Sequence, residues 1–416
     1  MPRRRNCPGY EGEDMAADQK AATGFEEGLK GASEKVAEFH QDNDPVKRLQ
    51  HWLHQTPSAV PMIVLIASLL VFGLAADNFF KAGTLSTILQ QIAIVGILGC
   101  AQTLVVLTAG IDLSVGAIAV FCSVIMGFVG ITGVTIGTPD WFGPLAFSFV
   151  FHLPPALAVV FGLACGLAMG ALNGWLVARM KLPPFIVTLG TWQIILASNF
   201  IFSANETIRS SDVETKAPAL RFWGEDVTFF GIPKAPEGVD QATMQSVFLT
   251  TDAMPGTGVK VLYAVFLLIV LVAVMAYVLR STAWGRHVYA TGDDPEAAAL
   301  AGVPTKRILI QVYALAGLFC AIAGWVMIGR FGSVSPTAST GQLGNIQSIT
   351  AVVIGGISLF GGRGSIAGMF FGALIVGVFE MGLRLVGTDP QWTFFLIGVL
   401  IIFAVAVDQW IRKVSA

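Results

Sequence analysis

Long apolar runs alternate with short polar connections along the chain from residue 57 onward. Because about 20 helical residues cross the ~30 Å hydrocarbon core of a bilayer, each such run predicts a membrane-spanning helix. The pattern predicts about ten spans, at 57–76, 87–109, 112–132, 155–178, 185–204, 258–280, 307–329, 346–360, 365–384 and 391–409. The predicted fold class is therefore all-α, a polytopic membrane helix bundle. Glycines interrupt the short span at 346–360, which predicts a half-helix or re-entrant segment there.

The polar segments predict the domain organisation. Residues 1–56 are polar and of mixed charge, which predicts an N-terminal tail, whereas residues 57–411 form the transmembrane domain. The apolar segment 141–153 is too short to span a bilayer and predicts an interfacial hairpin. The long connection 205–257 is acidic, whereas most short connections are basic. Since basic loops stay in the cytoplasm, we expect the tail, both termini and loop 281–306 inside, and loop 205–257 outside.

Composition supports a membrane protein and excludes other classes. Charged residues are 12% of the chain and hydrophobic residues 54%, against a usual ~25% charged for soluble domains. The 46 glycines suit helices that pack closely in lipid. The net charge of −2, with no basic patch, gives no reason to expect a nucleic-acid partner. We expect contact with membrane lipid instead.

Polar side chains within predicted spans are the first candidates for function, because an ionisable group at mid-helix costs ~2.5–3.5 kcal/mol on insertion scales. Asp112, two residues before Ser114, favours a helix N-cap; the alternative is a broken helix beside a polar translocation path. The other candidates are Asn173, Gln193, Asn199 and Glu380 within spans, with Asn345 and Gln347 at the mouth of the short span. Each suits either a polar translocation path or a hydrogen bond between helices, and the second interpretation is favoured for any single residue.

Loop 281–306 contains the clearest local signal. After Gly285 and Arg286 it reads as a short helix of about two turns. Asp294 suits the N-cap, Pro295 the first helical position, Glu296 the positive helix end and Gly302 the stop, with Ala297, Ala298 and their neighbours between. So small a helix has no core of its own, and it must dock against this protein's helix ends or a partner's groove. We favour the partner.

Motifs for chemistry are missing from the sequence. There is no GxxxxGK[ST] phosphate loop, no HExxH and no GxSxG. We therefore expect no cofactor and no catalytic site, and the hydrolysis of ATP for any uphill transport would occur in another subunit.

Four separated motifs resemble one family. The runs GIDLSVGAIAV (110–120), NGWLVARMKLPPFIVTLGT (173–191), GRHVYATGDDPEAAALAGV (285–303) and AVVIGGISLFGGRGS (351–365) look like the permeases of bacterial ABC importers for ribose, xylose and fructose. The resemblance covers residue 57 to the C-terminus. It implies an inner-membrane permease homodimer, two cytoplasmic ATP-binding subunits or a fused tandem, and a periplasmic sugar-binding protein. In such permeases the loop helix seats in the ATPase, which here is Asp294 to Gly302.

One departure from that family stands before AVVIGG. Many relatives have a Glu-Leu-Asp-Ala pattern where this chain has Asn345-Ile-Gln347-Ser. The sugar is expected to be fructose or a related hexose or pentose. A branched-chain amino acid permease and an ion-coupled secondary transporter remain alternatives, and the second would need Asp112 and Glu380 to bind the ion. A membrane-embedded enzyme lacks any catalytic constellation.

Overall fold

The computed structural model describes residues 58–137, 148–229, 258–336, 339–389, 391–392, 395–399, 402 and 406. Three predicted regions lie wholly or partly outside these residues. They are the N-terminal tail, loop 205–257 from residue 230 onward, and about half of the last predicted span. Within them, seven helices are long and apolar enough to cross a membrane, and two further apolar helices are shorter. The predicted all-α polytopic bundle is confirmed.

Twelve α-helices make up the described bundle. They are α1 Ala59–Ala75, α2 Ala82–Leu107, α3 Val115–Gly127, α4 Pro155–Met180, α5 Pro184–Ser203, α6 Ser210–Lys216, α7 Tyr263–Ser281, α8 Ala283–Asp293, α9 Pro295–Leu300, α10 Thr305–Phe331, α11 Ser339–Ile354 and α12 Ile366–Val386. A π-helical turn, Phe128–Thr132, extends α3, and a 3-10 helix, Pro218–Gly224, follows α6. Nine of the ten predicted spans coincide with a helix of this set.

Two antiparallel ribbons lie between the helices. Strand β1 Val134–Gly137 pairs with β2 Ser148–Phe151, and β3 Asp226–Phe229 pairs with β4 Val259–Leu262. The first ribbon overlaps the predicted hairpin at 141–153, of which residues 141–147 lie outside the description. The second corrects the predicted span 258–280. Its first residues, rich in valine, form β4, and α7 begins only at Tyr263; β-branched residues fit a strand well.

The short span at 346–360 also differs from its prediction. Helix α11 runs from Ser339 to Ile354, so Asn345 and Gln347 lie within the helix and not at its mouth. Asn345 donates to the Leu113 carbonyl in the connection before α3, and Gln347 donates to Glu380 of α12. These bonds stabilise polar side chains inside the bundle, although the same residues lower the hydropathy of the segment. The glycines that follow form a turn, with positive φ at Gly356, Gly361 and Gly362.

The two ends of the bundle are distinct. The end of α2, the α8–α9 segment and the turn 355–364 meet at one end, where the Gly362 amide donates to the Leu107 carbonyl (3.0 Å). We call this the predicted inner end. At the opposite, predicted outer end, Ile208 pairs with Val334. Which end faces the cytoplasm stays a prediction from the positions of Lys and Arg.

Close backbone contact joins α4 to α10. A Cβ on Gly170 would collide with the Tyr313 carbonyl, and one on Gly317 with the Gly166 carbonyl. Small residues allow this approach, which dispersion and packing then stabilise in lipid. Part of the high glycine content of the sequence therefore allows this close contact between α4 and α10.

We expect Gly170→Ala to destabilise the bundle by about 1–3 kcal/mol, because overpacking forces helices apart. The thermal unfolding midpoint in detergent should fall by several degrees. Gly190→Ala is the matched control, since a Cβ on Gly190 of α5 meets nothing within 4 Å. Equal midpoints for the two variants would contradict the close contact.

Candidate functional site

Helix α9 has the caps that the sequence predicts. The Asp294 carboxylate accepts from the Glu296 and Ala297 amides (2.9 and 3.0 Å), and Pro295 takes the first helical position. At the other end Gly302 has φ +86°. The Val303 amide donates to the Ala298 carbonyl and the Gly302 amide to that of Ala299, each at 3.0 Å. This pair of bonds is the Schellman motif, so the helix is fixed at both ends.

One face of α9 packs on the protein and the rest is exposed. Ala298 is 6% exposed and is the residue by which the helix rests on its own chain. Pro295, Glu296, Ala297 and Ala299 are exposed. Leu300 is 91% exposed, which leaves a large apolar side chain without cover at a protein end. The sequence prediction did not include Leu300 by itself. A lone leucine at the end of a helix of polar and small residues could have indicated an exposed apolar contact.

Helix α8 fixes the position of α9. Thr282 caps α8 by accepting from the Gly285 amide (3.1 Å), and a Cβ on Gly285 would collide with the Leu279 carbonyl of α7. Gly285 therefore serves the tight α7–α8 corner, whereas Arg286 is exposed. Farther along, Gly292 touches the Leu107 carbonyl so closely that a Cβ there would clash.

A second anchor of α8 is the Tyr289 hydroxyl. It donates to the Gly364 carbonyl (2.9 Å), and burial raises the pKa of this phenol, so the donor stays protonated at neutral pH. Helix α8 thus connects α9 to the turn 355–364 through Tyr289 and to the end of α2 through Gly292.

A buried polar group, which we call the Asp112 group, holds the connection 108–114 between α2 and α3. The Asp112 carboxylate accepts from the Ser114 amide and hydroxyl (2.7 and 2.6 Å). The Asn173 amide of α4 donates to the Ser114 hydroxyl (3.0 Å). Asn345 of α11 donates to the Leu113 carbonyl (2.6 Å) and accepts from the Gly116 amide (2.5 Å). Three segments distant in sequence thus meet at one break.

This geometry corrects the predicted cap. Helix α3 begins at Val115 with Ser114 as its N-cap residue, so Asp112 lies two residues too early to cap it. Asp112 instead closes a turn on Ser114, a local bond typical of Asp side chains. The broken connection between two spans is present, as the alternative interpretation expects.

The Asp112 group is closed to solvent in this conformation. Asp112, Ser114, Asn173 and Asn345 are 3%, 0%, 1% and 7% exposed. Two neighbouring polar atoms, Asn173 Oδ1 and Tyr313 Oη, have no hydrogen-bond partner among the described residues. A buried polar atom without a hydrogen bond costs free energy. The tight packing around the Asp112 group must therefore offset this cost.

A second group, the Glu380 group, joins three other helices. The Gln347 amide of α11 donates to Glu380 Oε2 of α12 (2.7 Å), and the Gln91 amide of α2 donates to the same oxygen. All three side chains are half-buried, so a solute could reach them. Glu380 also lies near enough to Arg330 of α10 for their opposite charges to interact. Gln91 was missed, although an amide within an apolar span gives the same signal as the others.

The remaining polar candidates lie apart. Gln193 of α5 is exposed, and no hydrogen bond links it to either group in the described part of the chain. Asn199, on the same helix, is 2% exposed and donates to the Pro336 carbonyl (2.6 Å). It ties α5 to the segment that follows α10 and serves as a link between helices. Of the eight polar candidates, six fall into the two groups, and Gln193 and Asn199 fall into neither.

The fold identifies the general class of this protein. A polytopic bundle of apolar helices with polar groups between them is a multi-pass membrane protein. Residues 84–405 match the family described as branched-chain amino acid transport system / permease component, and the chain belongs to that family.

The relatives are import permeases. The chain is 57% identical to the fructose import permease protein FrcC of Rhizobium meliloti over 394 residues, 94% of this chain and 96% of the relative. It is 32% identical to the ribose import permease protein RbsC of Escherichia coli K12 over 358 residues, 86% and 94% of the two chains. It is 30% identical to the xylose transport system permease protein XylH of the same strain over 385 residues, 86% and 92%. No solved structure matches the chain.

These matches confirm the resemblance to monosaccharide permeases of ABC importers that the four motifs carry. The protein is a multi-pass bacterial inner-membrane permease, a transporter subunit and not an enzyme. As a component of such an importer it works with ATP-binding and substrate-binding partners.

Proposed function

We propose that this chain is the translocation subunit of a fructose importer. The observation that carries the proposal is the 57% identity, over nearly the whole chain, to a permease named for fructose, against 32% and 30% to those named for ribose and xylose. The family's description mentions branched-chain amino acids, which keeps a leucine permease as the rival of the same class. The relatives favour the sugar, since those at 57%, 32% and 30% identity are all named for monosaccharides.

The proposed assembly contains two copies of this chain, two ATP-binding subunits or a fused tandem in the cytoplasm, and a periplasmic sugar-binding protein. Helix α9 is the proposed contact with the ATP-binding subunit. Its exposed small residues allow a close approach, and Leu300 supplies exposed apolar surface whose burial would stabilise an interface. Closure of the ATP-binding subunits would move α9, and α8 would transmit the movement to the end of α2.

We assign the two polar groups different parts in translocation. The Glu380 group is the proposed sugar contact, since its side chains are half-buried and come from three helices that can move relative to one another. The Asp112 group is the proposed hinge of the α2–α3 break, on the pathway but closed in this conformation. Gln193 remains a proposed pathway residue only for a state in which α5 has rotated.

The test is uptake by proteoliposomes that contain this chain, its ATP-binding subunits and its sugar-binding protein. We expect accumulation of labelled D-fructose against a gradient, dependent on ATP and insensitive to an uncoupler. L-leucine is the substrate control for the rival. Accumulation of leucine in place of fructose, uptake that an uncoupler abolishes without ATP depletion, or pumping by vesicles that hold only this chain would each refute the proposal.

A further inference from the structure

A cavity of about 260 Å³ lies between α3 and α10 near the predicted outer end. It is lined by Ser123 of α3, by Phe331 at the end of α10, and by Ser333 and Ser335 in the connection that follows. Val120, Met327 and Ile328 complete the described lining. A water molecule takes about 30 Å³ in the liquid, so this space accommodates several waters or one small ring compound.

The lining combines hydroxyls with an aromatic ring. Ser123 donates its hydroxyl hydrogen to the Val120 carbonyl (2.7 Å), which leaves its oxygen lone pairs to accept. Ser333 is half-buried, and Phe331 is 47% exposed. A monosaccharide has the matching chemistry, since its hydroxyls pair with serines and its C–H face packs on an aromatic ring. A lipid chain would leave the Ser333 hydroxyl against hydrocarbon, which costs free energy.

Arg330 lies beside the aromatic wall of the cavity, within electrostatic range of Glu380. The Arg330 guanidinium carbon lies 5.2 Å from the centroid of the Phe331 ring, within the range of a cation–π contact. The same guanidinium interacts with the charge of Glu380. One polar side chain therefore borders the cavity's aromatic wall and the half-buried carboxylate on the way into the bundle.

We propose that this cavity is an outer subsite that receives the monosaccharide before it reaches the Glu380 group. The proposal rests on the proposed function, because it presumes that a sugar enters from the predicted outer end. It assigns sugar contact to Ser123, Phe331 and Ser333, none of which the sequence motifs single out. Loading of this subsite precedes the movement that opens the path beyond it.

The first test is protection from labelling in the complete transporter. Ser333→Cys should react with a membrane-impermeant maleimide, and D-fructose should slow that reaction. Ser211→Cys is the matched control, since Ser211 is exposed on α6 and lies outside the cavity lining; fructose should leave its labelling rate unchanged. The native cysteines Cys100, Cys122 and Cys320 are buried, and the protein without a new cysteine gives the background. No protection of Ser333→Cys in a transporter that still takes up fructose overturns the subsite.

The second test separates the subsite from the proposed function. Loss of a neutral hydrogen bond should reduce uptake by Ser333→Ala about three- to tenfold, while ATP hydrolysis stimulated by the loaded binding protein continues. Phe331→Leu should behave alike, and Phe200→Leu, a similarly exposed phenylalanine on α5, should have wild-type uptake. If the wild type takes up fructose and these variants match Phe200→Leu, only the subsite fails. If the wild type takes up no fructose, the proposed function itself fails.

Discussion

Leu300→Asp should abolish stable association with the ATP-binding subunit while the permease stays folded in the membrane. Leu300 is 91% exposed, so the aspartate costs little in the isolated chain. Full burial of a leucine side chain at an interface contributes about 1.5–3 kcal/mol, roughly ten- to a hundredfold in Kd, and a buried charge adds a desolvation cost. Copurification of the ATP-binding subunit with a tagged permease measures the effect.

Leu182→Asp is the control for this prediction. Leu182 lies in the short connection between α4 and α5, beside the basic Lys181, and is 39% exposed. The same substitution there should leave the ATP-binding subunit bound. Deletion of Asp294 to Gly302 should have the larger effect, with no ATP-binding subunit recovered. Full recovery after that deletion would show that the partner binds elsewhere.

Helix α9 was predictable because its signals are local. Asp294, Pro295 and Gly302 act on backbone groups within a few residues, and each residue type has a strong positional preference at helix ends. At Asp112, local sequence signals do not decide which residue caps the helix. Asp112 and Ser114 are both good caps two residues apart, and only the backbone path of the connection decides that Ser114 takes the position.

The polar groups were predictable as candidates but not as partners. Gln91 and Glu380 are 289 residues apart, and no short-range pattern indicates that α2 and α12 are neighbours. The direction in which a polar side chain faces is equally hidden. Lipid and the bundle interior are both apolar, so a spanning helix shows little of the periodicity that marks the buried face of a soluble helix. Gln193 and Asn199 look alike in sequence, yet one is exposed and the other buried.

Glu380→Gln should lower fructose uptake about ten- to a hundredfold, because hydrogen bonds to a charged group contribute about 1.5–3 kcal/mol and each 1.36 kcal/mol in a barrier is tenfold in rate. The amide oxygen can still accept from Gln91 and Gln347, so the helix contacts should be kept, and the thermal unfolding midpoint should fall only by the loss of the charge opposite Arg330. Uptake and ATP hydrolysis stimulated by the loaded binding protein are measured together, and only uptake should fall. Glu214→Gln on α6 is the control, since Glu214 pairs with Arg221 at 3.0 Å at the predicted outer end.

Glu380→Leu distinguishes a sugar contact from a purely structural carboxylate. It leaves the Gln91 and Gln347 amides without their acceptor, at a cost of about 1–3 kcal/mol each, so both folding and uptake should suffer. If Glu380 only joined helices, Glu380→Gln would restore uptake along with stability. Contact with the sugar requires the opposite, a stable Glu380→Gln protein that hydrolyses ATP and moves little fructose. The pair of variants therefore separates what the carboxylate does for the bundle from what it does for the substrate.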